Sequence, residues 1–170
     1  QNGGIFRTTN GGSSWSSATS GLNMSESVSW VSPILAHPTT SGTFYTARQR
    51  VYRSTDNGGN WTAISANVNG TSPVREMAVS KSNPSVMFAT SGSSVFKSID
   101  AGITWTNVTA GLPSKTITSV NIYPTNSDEV FLTFSGFGTS KVYRSSNGGS
   151  TWVSISGNLP DTPVNDIYIH

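Results

Sequence analysis

An eight-residue segment that occurs four times constrains this chain more than any other feature. Thr8-Thr9-Asn10-Gly11-Gly12-Ser13-Ser14-Trp15, Ser54-Thr55-Asp56-Asn57-Gly58-Gly59-Asn60-Trp61, Ser98-Ile99-Asp100-Ala101-Gly102-Ile103-Thr104-Trp105 and Ser145-Ser146-Asn147-Gly148-Gly149-Ser150-Thr151-Trp152 align without gaps. Their tryptophans lie 46, 44 and 47 residues apart. Self-similarity at such a period marks an array of equal units, each too small to bury its core alone. Every octet follows a short apolar-aromatic run (Ile5-Phe6-Arg7, Val51-Tyr52-Arg53, Val95-Phe96-Lys97, Val142-Tyr143-Arg144) and leads into another, so it reads as a hairpin connection. The leading hydroxyl offers a local bond. An Asp or Asn at the third position can accept from backbone N–H groups two or three residues on, and the fifth-position glycine (Gly12, Gly58, Gly102, Gly149) supplies a positive φ. The closing Trp buries a large ring against a neighbouring strand or repeat. Asn10 and Asn147 stand where Asp56 and Asp100 do, which suits a hydrogen-bond acceptor and suits neither a metal ligand nor an acid catalyst.

Composition agrees with an all-β reading. Ser, Thr, Asn and Gly supply 82 of 170 residues, only 18 residues are charged, and hydrophobic content is 34%. Disorder is excluded by a net charge of only +2 and by an aromatic content of 10%, since disordered chains combine high charge with few aromatics. The apolar residues are mostly Val, Ile, Phe, Tyr and Trp, which favour strands. With no cysteine, disulfides and thiolate metal sites are excluded, and no cofactor or metal is expected. No apolar run is long enough to insert in a membrane. The densest basic stretch is Arg48-Gln49-Arg50, so no nucleic-acid footprint is expected. The opening Gln1-Asn2-Gly3-Gly4 without a Met reads as a processed or excised piece. Sequons at Asn23, Asn60, Asn69 and Asn107 are of the number that a chain 30% Ser and Thr produces by chance.

The octets resemble the Asp-box, or bacterial neuraminidase repeat, with its Ser-x-Asp-x-Gly-x-Thr-Trp pattern. The whole chain is similar to Asp-box β-propellers of the xyloglucanase, sortilin and photosystem II assembly-factor kinds, and to those of secreted Bacteroidetes-like proteins. The resemblance implies blades of four antiparallel strands, with each box at the turn between the third and fourth strands, away from the active face. It also implies a bacterial, extracellular or cell-surface setting.

With the boxes so placed, the strands fall in order. A blade over 27–73 has strands 28–34, 43–48, 51–54 and 61–65; the next, over 74–116, has 74–79, 86–90, 95–98 and 104–108; the third, over 117–163, has 117–123, 130–134, 141–145 and 151–155. Prolines 38, 84 and 124 close the first strand of each, where a ladder cannot continue. Residues 1–26 supply only the end of a blade and 164–170 only a first strand, fifteen strands in all and one short of four blades. Seven blades at this period need roughly 320 residues. The chain is therefore expected to be about half of a larger propeller, its ring completed by the rest of a parent chain or by a second copy.

Ligand contacts are expected on the rim opposite the octets. The turn at Arg48, Gln49 and Arg50 offers a clamp for a carboxylate or sugar hydroxyl, against its reading as solvated turn charge. Phe137 between Gly136 and Gly138 offers a platform for a sugar or a protein, or a packed loop aromatic. Trp30 falls on an expected innermost strand, where wall packing outweighs ligand stacking. Ser91 to Ser94, Glu26, Arg75, Glu76, Lys115 and Asp161 complete the candidates. Glycosidases need two carboxylates across a cleft. Asp56 and Asp100 belong to boxes, and Asp128 and Glu129 to a structural-end turn; Glu26, Glu76, Asp161 and Asp166 remain, and no catalytic residue is assigned. The sialidase Arg-Ile-Pro segment is missing, and neither His37 nor His170 has a partner at a suggestive spacing. The expected function is a non-catalytic propeller section binding polysaccharide or protein. The alternatives are part of a xyloglucanase-like hydrolase whose cleft is completed elsewhere, and an assembly scaffold.

Overall fold

The computed structural model describes residues 3–169; Gln1, Asn2 and His170, at the ends of the expected 1–26 and 164–170 segments, lie outside the described residues. All regular structure is β. The chain divides between Arg75 and Glu76 into two compact units. The first holds a two-stranded sheet, β1 (Phe6–Arg7) and β2 (Ser16–Ser17), and a four-stranded antiparallel sheet of β3 (Ile34–Ala36), β4 (Phe44–Ala47), β5 (Val51–Ser54) and β6 (Thr62–Ala63) in sequential order. The second holds two such meanders: β7 (Glu76–Val79), β8 (Met87–Ser91), β9 (Ser94–Ser98) and β10 (Thr106–Asn107), then β11 (Ile117–Ile122), β12 (Val130–Phe134), β13 (Val142–Ser145) and β14 (Val153–Ser154).

Central strands carry the burial. Met87, Phe88 and Ala89 of β8 are fully buried, as are Val130, Leu132 and Phe134 of β12. Outermost strands shrink to exposed two-residue ladders, shorter than the runs the sequence suggests. Their ends are closed by hydroxyls. The N–H groups of Val51, Val95 and Val142 donate to Ser65 Oγ, Thr109 Oγ1 and Ser156 Oγ, each four residues past an octet Trp, at 2.9, 3.0 and 3.0 Å. Two expected first strands are corrected. Pairing in the first full sheet starts only at Ile34, because Pro33 has no N–H to give, and residues 28–32 are bends and irregular chain. Residues 164–169 form no ladder; they lie along β11, with Thr118 Oγ1 donating to Val164 O and Asn121 Nδ2 to Ile167 O.

Each octet folds on the same bonds. The leading hydroxyl donates to Oδ1 of the third residue at 2.7–2.9 Å and accepts from the fifth N–H at 2.8–2.9 Å. That Oδ1 also accepts the seventh N–H at 2.9–3.0 Å. Asp and Asn are interchangeable for these bonds, and the second oxygen or nitrogen adjusts. Thr104 Oγ1 donates to Asp100 Oδ2, whereas Asn10 Nδ2 and Asn147 Nδ2 donate to Ser14 Oγ and Thr151 Oγ1. The fourth residue as well as the fifth takes positive φ, including Asn57 at 59° and Ala101 at 58°. This turns the fourth N–H onto the loop between the first two strands of its own sheet: Asn57 onto Gly42 O, Ala101 onto Ser85 O and Gly148 onto Asp128 O. The octets and the first-to-second loops therefore share one end of each sheet.

The tryptophans differ in what they meet. Trp61 is 4% exposed and its Nε1 donates to Ala18 O at 2.8 Å, joining Ile5, Ala18, Leu22 and Tyr52 in a core. Trp152 donates to Val108 O at 2.8 Å, beside the core of Phe88, Leu132 and Phe134. Trp105 bonds within its own octet, to Gly102 O.

The Thr104 hydroxyl, then the Thr104 N–H and the Ser98 hydroxyl, push the Asp100 carboxyl down to about 2. The fold thus favours the ionised form: its contribution is complete above the ordinary value of 3.8 and is lost as pH falls toward about 2. Asp100→Asn keeps the Oδ1 bonds and removes the titration. We expect its loss of urea stability between about pH 5 and about pH 2.5 to be smaller than that of the parent.

Candidate functional site

The rim opposite the octets carries the second-to-third turns and the segments between sheets, and in each unit a carboxylate from such a segment meets a cation that opens a third strand. In the first unit Glu26, with a 3% exposed side chain, pairs with Arg50 Nε at 2.8 Å and accepts from Tyr52 Oη at 2.8 Å. Burial, and then the Glu26 bond, raise the Tyr52 phenol above its ordinary value. Arg48 does not form an exposed clamp. It is 2% exposed, with Nη1 on Glu26 O and Nη2 on Gly3 O and Met24 Sδ. Gly3 has φ of 66°, and a Cβ there would lie 2.9 Å from Arg48 Nη2, so glycine is needed for this approach. Gln49 donates to Thr71 O. Arg48, Arg50 and Glu26 are thus a latch holding the 18–33 segment to the first full sheet. Trp30 lies outside any strand and is 75% exposed, so it is not a wall residue.

In the second unit Lys141, 2% exposed, places Nζ 2.8 Å from Asp161 Oδ1, and Gly138 N donates to both Asp161 oxygens at 2.9 Å. Lys141, followed by the Gly138 N–H, holds the Asp161 carboxyl below the ordinary carboxylate value. Beside the pair a cavity of about 390 Å³ opens, lined by Gly138 to Lys141 and by Ser156, Gly157 and Leu159 to Asp161. Thr139 Oγ1 is buried there without a hydrogen-bond partner among the described residues. Phe137 stands beside it, 63% exposed, between Gly136 and Gly138, both of positive φ. Lys115 adds positive potential at Asp161. Ser91 to Ser94 close the tight β8–β9 hairpin.

The remaining candidates are not drawn into a cluster. Arg75 is exposed, and Glu76 is half-buried on β7. Asp166 accepts from Ser119 Oγ, Glu129 pairs with Arg144 at 2.7 Å, and Asp128 with Lys97 at 3.7 Å. Among the described residues no group of three or more His, Asp or Glu is placed to hold a metal ion, and no helix is long and apolar enough to cross a membrane. Sequence reasoning missed Lys141 and Tyr52. Their signal is the alignment of Lys141-Val142-Tyr143-Arg144 with Arg50-Val51-Tyr52-Arg53, which sets a cation at the same register.

No protein-family model matches the chain, and no curated protein does. Solved structures do. An ancestral GH74 enzyme aligns over 91% of this chain and 21% of its own, with 22% identity and a TM-score of 0.63. The GH74 xyloglucanase from Xanthomonas campestris aligns over 74% and 23%, with 15% identity and a TM-score of 0.57. YCF48 bound to D1 peptide aligns over 92% and 62%, with 19% identity and a TM-score of 0.50. The chain therefore spans about a fifth of the length of the GH74 structures it matches. At these identities the likeness establishes the fold, an all-β partial propeller of four-stranded antiparallel blades.

The Glu26 latch makes a stability prediction. Glu26→Ala leaves the buried Tyr52 hydroxyl without its acceptor and Arg50 without its counter-ion. We expect a loss of about 3 kcal/mol in chemical denaturation, against under about 1 kcal/mol for Arg75→Ala.

Proposed function

We propose that the chain is a non-catalytic section of an extracellular or cell-surface bacterial Asp-box propeller that binds polysaccharide through the rim opposite the octets. The Asp-box identity of the octets belongs to this reading and is supported by their shared bonding. The observation that carries the reading is the Asp161 cavity. Its volume falls in the range of ligand pockets, roughly 300–1,000 Å³, and it offers an orphan hydroxyl, a carboxylate acceptor and an adjacent exposed aromatic. That set suits a sugar, whose hydroxyls need donors and acceptors together while its C–H face stacks on a ring. Glu26 and Asp161 are each engaged by a cation of the adjoining sheet, which favours binding over catalysis. Trp30 offers a second, separate stacking surface in the first unit.

A second reading is that the chain is one part of a glycoside hydrolase whose cleft is completed by residues outside it. The likeness to a xyloglucanase fold favours this. Asp161, kept ionised by Lys141, suits a nucleophile or charge stabiliser there and not the proton donor.

Calorimetric titration with xyloglucan oligosaccharides separates the readings. Saturable binding weakened about tenfold by Phe137→Ala, a change of about 1.4 kcal/mol, and left unchanged by Arg75→Ala supports the first. Release of reducing ends by a longer polypeptide that contains this chain, abolished by Asp161→Asn, supports the second. Failure to bind xyloglucan or any other polysaccharide offered overturns the polysaccharide reading.

A further inference from the structure

The Arg48 guanidinium is buried on neutral partners. It is 2% exposed, and what it meets is two main-chain carbonyls and a thioether: Glu26 O at 3.3 Å from Nη1, and Gly3 O at 3.2 Å and Met24 Sδ at 3.1 Å from Nη2. No carboxylate among the described residues forms an ion pair with it, since that of Glu26 is taken up by Arg50 and Tyr52. Arg48 Nε is buried with no hydrogen-bond partner among the described residues. Nε and Nη2 share one edge of the guanidinium, the side on which a charged oxygen acceptor ordinarily docks. Here that edge meets a sulfur, a weak acceptor, so the buried charge is under-compensated.

Met24 is also the methionine that solvent reaches. It is 54% exposed, whereas Met77 is 4% exposed and Met87 fully buried. Oxidation of a methionine ordinarily harms a protein by placing a polar sulfoxide in apolar packing. More than half exposed, Met24 has little such packing to lose. The oxygen gained would lie one bond beyond a sulfur that already touches Nη2, on the guanidinium edge whose Nε has no acceptor.

We propose that Met24 is an oxidation site whose sulfoxide tightens the Arg48 latch. The oxidant is a hydroperoxide. With hydrogen peroxide, a sulfur lone pair forms the S–O bond as the O–O bond breaks, and the proton of the transferred oxygen passes to the departing hydroxide, which leaves as water. Sulfur loses two electrons and the peroxide gains them. The sulfoxide oxygen accepts from Arg48 Nη2 and Nε together, and its partial negative charge faces the buried cation. The 18–33 segment, which Arg48 and Arg50 hold to the first full sheet, is thereby held more firmly under oxidising conditions.

Treatment of the folded protein with hydrogen peroxide, followed by peptide mass spectrometry and urea denaturation, tests this. Met24 should gain one oxygen while Met77 and Met87 stay reduced. The urea midpoint should rise by about 0.5 M, the shift that one charge-assisted hydrogen bond gives a small domain. Methionine sulfoxide reductases should reverse both changes. Met24→Leu, which keeps a side chain of similar size without the sulfur, should fold and show no rise after the same treatment. A midpoint that stays constant or falls once Met24 is oxidised would overturn the proposal. So would a rise that persists in Met24→Leu, or a Met24 that resists peroxide in the folded protein.

Discussion

Each octet gathers backbone N–H groups onto two side-chain oxygens, and the blades depend on that convergence. The octet is too long for the strand ladder to reach its inner N–H groups, since pairing ends at Arg53 and Thr62, and an unpaired buried amide costs more than a typical hydrogen bond returns. The leading Ser or Thr takes the third and fifth N–H groups, and the third-position Oδ1 takes the seventh. Once those are held, the fourth N–H points outward and ties the turn to the loop between the first two strands. In two octets the eighth residue then turns its ring onto the preceding repeat, Trp61 through Ala18 O and Trp152 through Val108 O. There the turn chemistry sets the direction of the largest apolar side chain of the repeat.

That order of causes explains what was legible. The octets and the strand types follow from local residue pattern and period, the sheet order and the end shared by octets and first loops from the resemblance those octets carry, and each is found. What was not legible depended on partners distant in sequence. Arg48 and Arg50 look alike in the chain. One is buried because Gly3, Met24 and the Glu26 carbonyl surround it, contacts spanning 22 to 45 residues. Trp30 sits in an apolar-polar alternation that suggests a strand, but Pro33 delays pairing to Ile34. The short outer strands were also hidden, because the hydroxyl four residues past each Trp replaces a ladder bond with a side-chain bond that propensity does not register.

The candidate site shows the same division. Asp161 and Phe137 were visible as an acid between repeats and an aromatic between glycines. Lys141 was not, because a lysine at the head of a strand ordinarily reads as solvated. Its near-complete burial under Asp161 depends on the 136–140 loop turning back so that Gly138 N meets the same carboxylate.

A constraint on chemistry follows from where the cations stand. Arg50 and Lys141 open equivalent third strands, and each neutralises the carboxylate of an adjoining connection, Glu26 or Asp161. The blades therefore use these two pairs of rim charges in holding connections to sheets. Exposed beside them on that rim are Arg75, Lys115, aromatic faces, hydroxyls and main-chain groups. On the proposed reading, such a surface would recognise a ligand by stacking and neutral hydrogen bonds, whose strength salt barely screens. Discrimination would then rest on the shape of the cavity and on the Thr139 hydroxyl, since a ligand that fails to pair with a buried polar group leaves its burial uncompensated.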